Sequence, residues 1–281
     1  MAVIKGVVGG GRMGAGIAQQ FAQTGYEVVL VETDLDAAQG ARERLIEGLR
    51  RAIEHGATSQ QVDEAINRVR FVTEIHDLPS DVDLVVEAVP ELMSLKHEVL
   101  KAIESMVSPN CILATNTSSL SIDRLAAVLG APERFLGMHF FNPVPASLLV
   151  ELVVGTATTA LVVDQGVEWV REIGKSSIVV RDSPGFATSR LGVLLGLEAI
   201  RMLQEGVASA EDIDRAMELG YRHPMGPLRS TDLVGLDVRL AIAEYLFENL
   251  GERFSPPALL KEKVERGELG RKTGQGFFEW H

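Results

Sequence analysis

The chain opens with an apolar run, Val3, Ile4, Val7 and Val8, that stops at the glycines Gly9, Gly10 and Gly11. Apolar residues then recur at helical spacing, at Ile17, Ala18, Phe21 and Ala22. This pattern predicts strand, tight turn and helix. A second apolar run, 28–31, predicts a strand that ends at Glu32. Further strands are expected at 69–72, 83–86, 112–115, 135–140, 148–154 and 177–180. Helices are expected between them, including 93–106, with Leu92, Leu95, Val99, Ile103 and Met106 on one face. A helical hairpin, 35–55 and 59–68, interrupts this alternation. Its buried stripe is expected at Leu45, Leu49 and Ile53, with Arg42, Arg44, Arg50 and Arg51 solvated beside Glu43, Glu47 and Glu54.

Strands alternating with helices predict an α/β fold with a mostly parallel, doubly wound sheet of the Rossmann type. After Asp182-Ser183-Pro184-Gly185 the strand pattern ends. Helices are expected at 187–204, 210–219, 235–250 and 257–265, and Ser209 with Asp212 reads as a capping box. The expected domains are therefore a dinucleotide-binding unit over 1–183 and a smaller all-α unit over 184–281. The first helix of the second unit is apolar on several sides (Leu191, Val193, Leu194, Leu195, Leu197, Ile200), which points to burial against a partner subunit.

Composition narrows the function classes. The chain has 281 residues and a net charge of −12, which argues against nucleic acid as a partner. No apolar stretch is long enough to cross a membrane. No charged segment followed by an apolar one marks a targeting peptide at the N-terminus. The single cysteine, Cys111, excludes an internal disulfide framework, reads as an inert core residue, and fits a reducing, cytoplasmic setting. No Cys/His spacing suggests a metal site.

The glycines form a G-x-G-x-x-G turn. Gly9 permits the sharp bend, Gly11 lets backbone approach a pyrophosphate, and Gly14 lets helix lie close on strand. Glu32 stands where a ribose 2′-hydroxyl would be held and would repel a 2′-phosphate; Thr33 and Asp34 follow it with no Arg or Lys, so NAD is favoured over NADP. Hydride transfer to or from an alcohol needs a base, and histidine suits neutral pH. Of six histidines, His55, His76 and His97 fall in polar settings, His223 in a turn of the helical unit and His281 at the terminus. Only His139 falls at a strand end beside the expected cofactor. Glu151, a carboxylate inside an apolar strand, needs a partner and would orient His139. Ser118 and Asn116 would donate to a substrate oxygen, or cap a helix.

The ordered motifs GGGRMGAGI from Gly9, DLVVEAVPE from Asp83, NTSSL from Asn116, GMHFFNP from Gly137, SPGF from Ser183, PMGP with Asp232 and the GLD at 235–237, and GRKTGQGF from Gly270 resemble the L-3-hydroxyacyl-CoA dehydrogenases. The similarity spans nearly the whole chain and is strongest to the bacterial 3-hydroxybutyryl-CoA dehydrogenase branch. It implies NAD-dependent oxidation of a short-chain (S)-3-hydroxyacyl-CoA, in fatty acid β-oxidation or butanoate metabolism. By the same resemblance His139 is the base, Glu151 its orienting acid, and Ser118 the serine contacting substrate and nicotinamide. It places Gly9, Gly11, Arg12, Met13, Gly14, Glu32, Glu91, Lys96, Asn116, Asn142 and Lys272 at the cofactor, and implies a glycine-rich tail folding over the cleft and a homodimer through the helical domain. Where the family usually carries asparagine after P-G-F-x-x, this chain has Ser189. Arg50 and Arg51 fall near the family's CoA-contacting positions without reproducing them. Two alternatives remain at this level: a dehydrogenase of a free hydroxy acid such as L-gulonate, and a non-catalytic NAD-binding structural protein.

Overall fold

The computed structural model describes residues 3–54, 56 and 59–280; His55 and His281 lie outside them. The chain divides into two compact units, 1–182 and 183–281.

The first unit holds one eight-stranded sheet in the order β3-β2-β1-β4-β5-β6-β7-β8. The strands are β1 (Ile4–Val8), β2 (Glu27–Val31), β3 (Val69–Val72), β4 (Leu84–Glu87), β5 (Ile112–Thr115), β6 (Phe135–Phe140), β7 (Leu149–Val154) and β8 (Ser176–Arg181). The first six run parallel. β7 reverses beside β6, and β8 follows β7. Strand order turns back between β2 and β4, on either side of β1, so the crevice at the carboxyl ends of β1 and β4 is the topological switch point where such sheets bind ligands.

Helices cover the sheet: α1 (Arg12–Thr24), α2 (Leu35–Glu54), α3 (Ser59–Asn67), α4 (Met93–Met106), α5 (Ile122–Ala126) and α6 (Ala160–Glu172). Phe21, Leu30, Leu45, Leu49, Leu84, Met138, Phe140 and Trp169 share one core with Val62 and Ala65. The hairpin α2–α3 is thus part of that core. Its buried stripe runs Ala38, Ala41, Leu45, Leu49, and Ile53 is 43% exposed, contrary to the periodicity. On α4 the buried face is Lys96, Leu100 and Ile103, while Leu92 and Met106 are exposed. The helix is rotated by one residue from its apolar pattern because Lys96 finds partners inside. Lys5 on β1 is also fully buried, its ammonium 3.7 Å from the Trp169 ring centre and 4.8 Å from that of Tyr26. Burial pushes Lys5 down to about 8, against the opposing charges of Asp83 and Glu172. Cys111 is buried, and burial pushes its thiol up to about 12.

The second unit contains α7 (Thr188–Gln204), α8 (Ala210–Gly220), α9 (Pro227–Val234), α10 (Leu236–Leu250) and α11 (Ala258–Glu265). Sequence periodicity missed α9, whose eight residues span barely two turns. Its signals are local: Pro227 at its first position, and the Asp214 carboxylate accepting the N–H groups of Leu228 and Arg229 at 2.8 and 2.9 Å. Val193, Leu197, Ile200, Leu228, Leu246 and Phe254 form its core. Leu191 remains 68% exposed. Buried Asp232 anchors the glycine-rich tail, accepting the backbone N–H groups of Phe277 and Phe278 at 2.9 Å and the Trp280 indole N–H at 2.8 Å.

Candidate active site

β1 ends in the glycine turn, and each glycine meets a different constraint. Gly9 has φ +95°, a left-handed conformation that favours glycine. A Cβ on Gly14 would lie 1.8 Å from the Gly9 carbonyl oxygen, so helix and strand could not close. A Cβ on Gly11 would meet nothing within 4 Å. Space is open there, at the first turn of α1, where backbone N–H groups lack intrahelical partners and the helix dipole is positive. This cradle fits a dinucleotide pyrophosphate. Arg12 is exposed and Met13 partly so at the same turn.

Two side chains brace the Gly10 backbone. Glu32, just past β2, accepts the Gly10 N–H at 2.6 Å. Arg44 of α2 donates its Nε to the Gly10 carbonyl at 2.9 Å. Arg44 is exposed, as its spacing suggested, but its Nε is engaged by the turn and not by an i,i+4 acid. Arg50 and Arg51 are exposed on α2, and Arg51 pairs with Glu47 at 3.1 Å.

Beyond β4 and β5 a buried network forms. Glu87, at the end of β4, is fully buried and accepts Lys96 Nζ at 2.8 and 3.0 Å, Thr115 Oγ1 at 2.6 Å and the Val89 N–H at 2.7 Å. Lys96 is 1% exposed, and its ammonium also reaches the Val89 carbonyl at 3.2 Å and Glu91 at 3.4 Å. With its ammonium enclosed by these oxygens, Lys96 orders the strand ends. Glu91 in turn accepts Thr117 Oγ1 at 2.5 Å, the Ser118 N–H at 3.0 Å and the Ser119 N–H at 3.3 Å. Burial would raise Glu91, but the Lys96 charge and the bonds from Thr117 and Ser118 outweigh it and hold the carboxyl below its usual range. The sequence assigned roles to Glu91 and Ser118 and none to Glu87, Thr115 or Thr117, although Glu87 and Thr117 fall at expected strand ends. Their signal was a polar residue at each strand end of an otherwise apolar run.

Helix capping does not account for Asn116 or Ser118, because the cap of α5 is Ser121, which accepts the Arg124 N–H at 3.2 Å. Asn116 Oδ1 accepts the Phe140 N–H at 2.9 Å, tying β5 to the residue after His139 and leaving the amide nitrogen of Asn116 as a donor. His139 and Glu151 are cross-strand partners in the antiparallel β6–β7 ladder. His139 Nδ1 lies 2.7 Å from Glu151 Oε2, with His139 7% exposed and Glu151 fully buried. The buried carboxylate fixes the proton on Nδ1 and leaves Nε2 as the basic nitrogen. Phe141 packs its ring 4.4 Å from the imidazole, and Asn142 follows on the exposed loop.

Ser189 and Lys272 belong to the helical unit. Ser189 is partly buried in the first turn of α7. Lys272 donates to both Asp237 carboxylate oxygens at 2.5 and 2.6 Å. His76 is exposed, His97 meets the Arg124 carbonyl at 2.9 Å, and His223 is partly exposed after α8. Among the described residues no cluster of His, Cys, Asp or Glu could hold a metal ion, and no helix is long and apolar enough to cross a membrane.

Comparison with known proteins places these features in context. Residues 5–183 match the family model described as 3-hydroxyacyl-CoA dehydrogenase, NAD binding domain, and residues 185–280 match 3-hydroxyacyl-CoA dehydrogenase, C-terminal domain. The chain is 42% identical over 279 residues to a 3-hydroxybutyryl-CoA dehydrogenase of Mycobacterium tuberculosis, covering 98% of this chain and 97% of that one. It is 41% identical over 279 residues to a probable 3-hydroxybutyryl-CoA dehydrogenase of Deinococcus radiodurans, covering 98% and 99%. Among solved structures, (S)-3-hydroxybutyryl-CoA dehydrogenase PaaH1 from Ralstonia eutropha superposes with a TM-score of 0.95 at 40% identity, over 100% of both chains.

Proposed function

The chain belongs to the 3-hydroxyacyl-CoA dehydrogenase family, and from that membership we propose that it interconverts (S)-3-hydroxybutanoyl-CoA and its 3-keto thioester with NAD. The observation that carries the reading is the His139–Glu151 pair, 2.7 Å apart beside the carboxyl edge of a dinucleotide-binding sheet.

NAD, when bound, accepts or returns the hydride. The chain's own residues manage the proton and the geometry. Gly9, Gly11 and Gly14 with Arg12 and Met13 receive the pyrophosphate, and Glu32 the ribose. His139 Nε2 takes the hydroxyl proton of the alcohol as hydride leaves its carbon, and Glu151 stabilises the resulting imidazolium. In the reverse direction the imidazolium returns that proton to the oxygen. Ser118 and the Asn116 amide donate to the substrate oxygen. Asn142, Glu91, Lys96 and Lys272 complete the cofactor contacts, and Ser189 meets the acyl group. Arg50 and Arg51 offer positive charge to the CoA phosphates. The intact acid–base pair weighs against a purely structural NAD-binding role, since a buried carboxylate without a partner is costly.

We further infer a cytoplasmic homodimer formed through the helical unit, acting in short-chain acyl-CoA turnover such as β-oxidation or butanoate metabolism. Exposed Leu191 and Leu194 on α7 support the dimer. Mixing the enzyme with acetoacetyl-CoA and NADH and following nucleotide absorbance tests the activity; absence of turnover on every chain length would sink it. Sedimentation of wild type and Leu191→Asp tests the dimer, which the charged variant is expected to dissociate.

A further inference from the structure

A buried ammonium stands at the sheet edge where β6 ends. β7 runs antiparallel to β6 and β8 parallel to β7, so β8 starts at that edge. The chain reaches it from α6 by a helix-ending turn. Gly174, at φ +73°, donates its N–H to the Arg171 carbonyl, and Lys175 donates its own to the Val170 carbonyl, both at 3.0 Å. Lys175 is thereby turned inward and is 8% exposed. Its Nζ donates to the carbonyls of Val144 and Ser147 at 2.7 and 2.5 Å. Burial holds the ammonium below its usual range, with no carboxylate acting against it. A cation held inside by carbonyls is costly to keep, and an apolar side chain of similar size would fill the space at less cost. The bonds themselves therefore call for a reason.

Both carbonyls belong to the 141–148 connection, which begins two residues after His139. Phe141 sets its ring 4.4 Å from the imidazole, and Asn142 follows it. Val144, 2% exposed, seats the connection on α1: a methyl group built on Gly16 would come 3.0 Å from Val144 Cβ. One turn further along α1, Gln20 Nε2 donates to the Ile173 carbonyl at 2.9 Å. The helix behind the glycine turn, the 141–148 connection and the 173–175 turn thus form a closed ring of contacts, and Lys175 closes it. We propose that Lys175 is a positioning residue for hydride transfer, holding the connection so that Phe141 and Asn142 stand correctly against the imidazole and the nicotinamide half of the cofactor. The inference rests on the reading in which His139 is the base and Asn142 meets the cofactor. An ammonium suits the task because its three donors can bond carbonyls three residues apart at the same time. Its influence falls on the reacting end, since the adenosine and pyrophosphate are received by Glu32 and the glycine turn on other elements.

The test separates the two halves of the cofactor. Affinities for NADH and for ADP-ribose, which lacks the nicotinamide, are measured by calorimetry in wild type, Lys175→Met and Lys175→Arg. The kcat for acetoacetyl-CoA reduction and the Tm are measured alongside. Lys175→Met is expected to lower kcat by roughly 10- to 100-fold and to weaken NADH binding by about fivefold or more, while ADP-ribose affinity stays within about twofold. Lys175→Arg keeps a cationic donor and should retain more of both kcat and NADH affinity. A fall in Tm with kcat and the ratio of NADH to ADP-ribose affinity unchanged would make Lys175 a stability residue and overturn the proposal. An equal loss of both ligands overturns it as well, because the effect then belongs to the whole cofactor unit. If Lys175→Met does not fold, Val144→Ala, which loosens the same segment from Gly16, is expected to show the same signature more weakly. A fall in Tm alone overturns the proposal in that variant too. If wild type reduces no thioester at all, including acetoacetyl-CoA, the dehydrogenase reading fails, while the ratio of NADH to ADP-ribose affinity still decides the role of Lys175.

Discussion

Glu91 accepts the backbone N–H of Ser118 at 3.0 Å, so a carboxylate from the segment after β4 sets the position of the serine after β5. The contact is electrostatic and has a pH signature. Burial raises Glu91, but Lys96, Thr117 and Ser118 together bring it below its usual range. An unfolded glutamate titrates near ~4.3, so the stabilisation is fully present above that value and is lost as pH falls through the lower folded value. The stability gap between wild type and Glu91→Gln, measured by urea unfolding, is therefore expected to narrow on acidification. A gap that stays constant from neutral pH to about pH 3 would show that the charge on Glu91 is immaterial.

The Glu87–Lys96 pair beneath it should be far less tolerant. Replacing Lys96 with Met leaves Glu87 fully buried and unpaired, which is expected to cost about 3–5 kcal/mol. The double variant Glu87→Gln with Lys96→Met should recover part of that loss, and a double-mutant cycle in chemical denaturation checks it. Strict additivity would mean that the two groups are not coupled.

For Glu151→Gln the loss should appear in catalysis and spare cofactor binding. Without the carboxylate the imidazole loses its enforced tautomer and its stabilised cation. The expected fall in kcat is on the order of 10²- to 10⁴-fold, with NADH affinity by fluorescence titration unchanged within about twofold. An unaltered kcat would separate the pair from the chemistry.

Lys5 makes an alkaline prediction. Its folded value of about 8 lies below the unfolded lysine value near ~10.4. Between these the unfolded chain holds more protons, so wild-type stability should rise as pH increases from about 8 towards 10 through this group. Lys5→Met should abolish that rise, as read from the difference in Tm between the two proteins across the range. The same rise in the variant would assign it to other groups.

Arg44→Ala removes the brace on the Gly10 carbonyl while leaving every glycine in place. A lost charged hydrogen bond at the phosphate cradle is expected to weaken NAD binding by about tenfold, measured by calorimetry. Unchanged affinity would mean that Glu32 alone holds the turn.

The features legible in the sequence were those written locally. The strand positions, the glycine turn and its acid Glu32, and a carboxylate stranded in an apolar strand that demanded a partner all follow from short patterns. The burial of Lys96 did not. A lysine stem is apolar enough to sit on a core face, and only the three-dimensional nearness of Glu87 decides that its head goes inside as well. The bracing role of Arg44 stayed hidden for the same reason: its i,i+4 neighbours offered a sufficient explanation of an exposed arginine, and the Gly10 carbonyl that it holds is 34 residues away. α9 escaped because two turns carry too little periodicity to register.

The reversal of β7 against β6 has a consequence for how this chemistry is encoded. Facing residues in the ladder, 139 with 151 and 140 with 150, keep a constant sum of numbers. A strand changes face at every residue, so His139 and Glu151 meet by parity. Residues gained or lost in the 141–148 connection can be absorbed there and leave the pair intact. A single residue gained or lost inside either strand swings the carboxylate to the other face of the sheet and removes the imidazole's partner without changing any side chain. The acid–base pair is thus stored as an even-or-odd count along the backbone, guarded against loop drift and exposed to a shift of one.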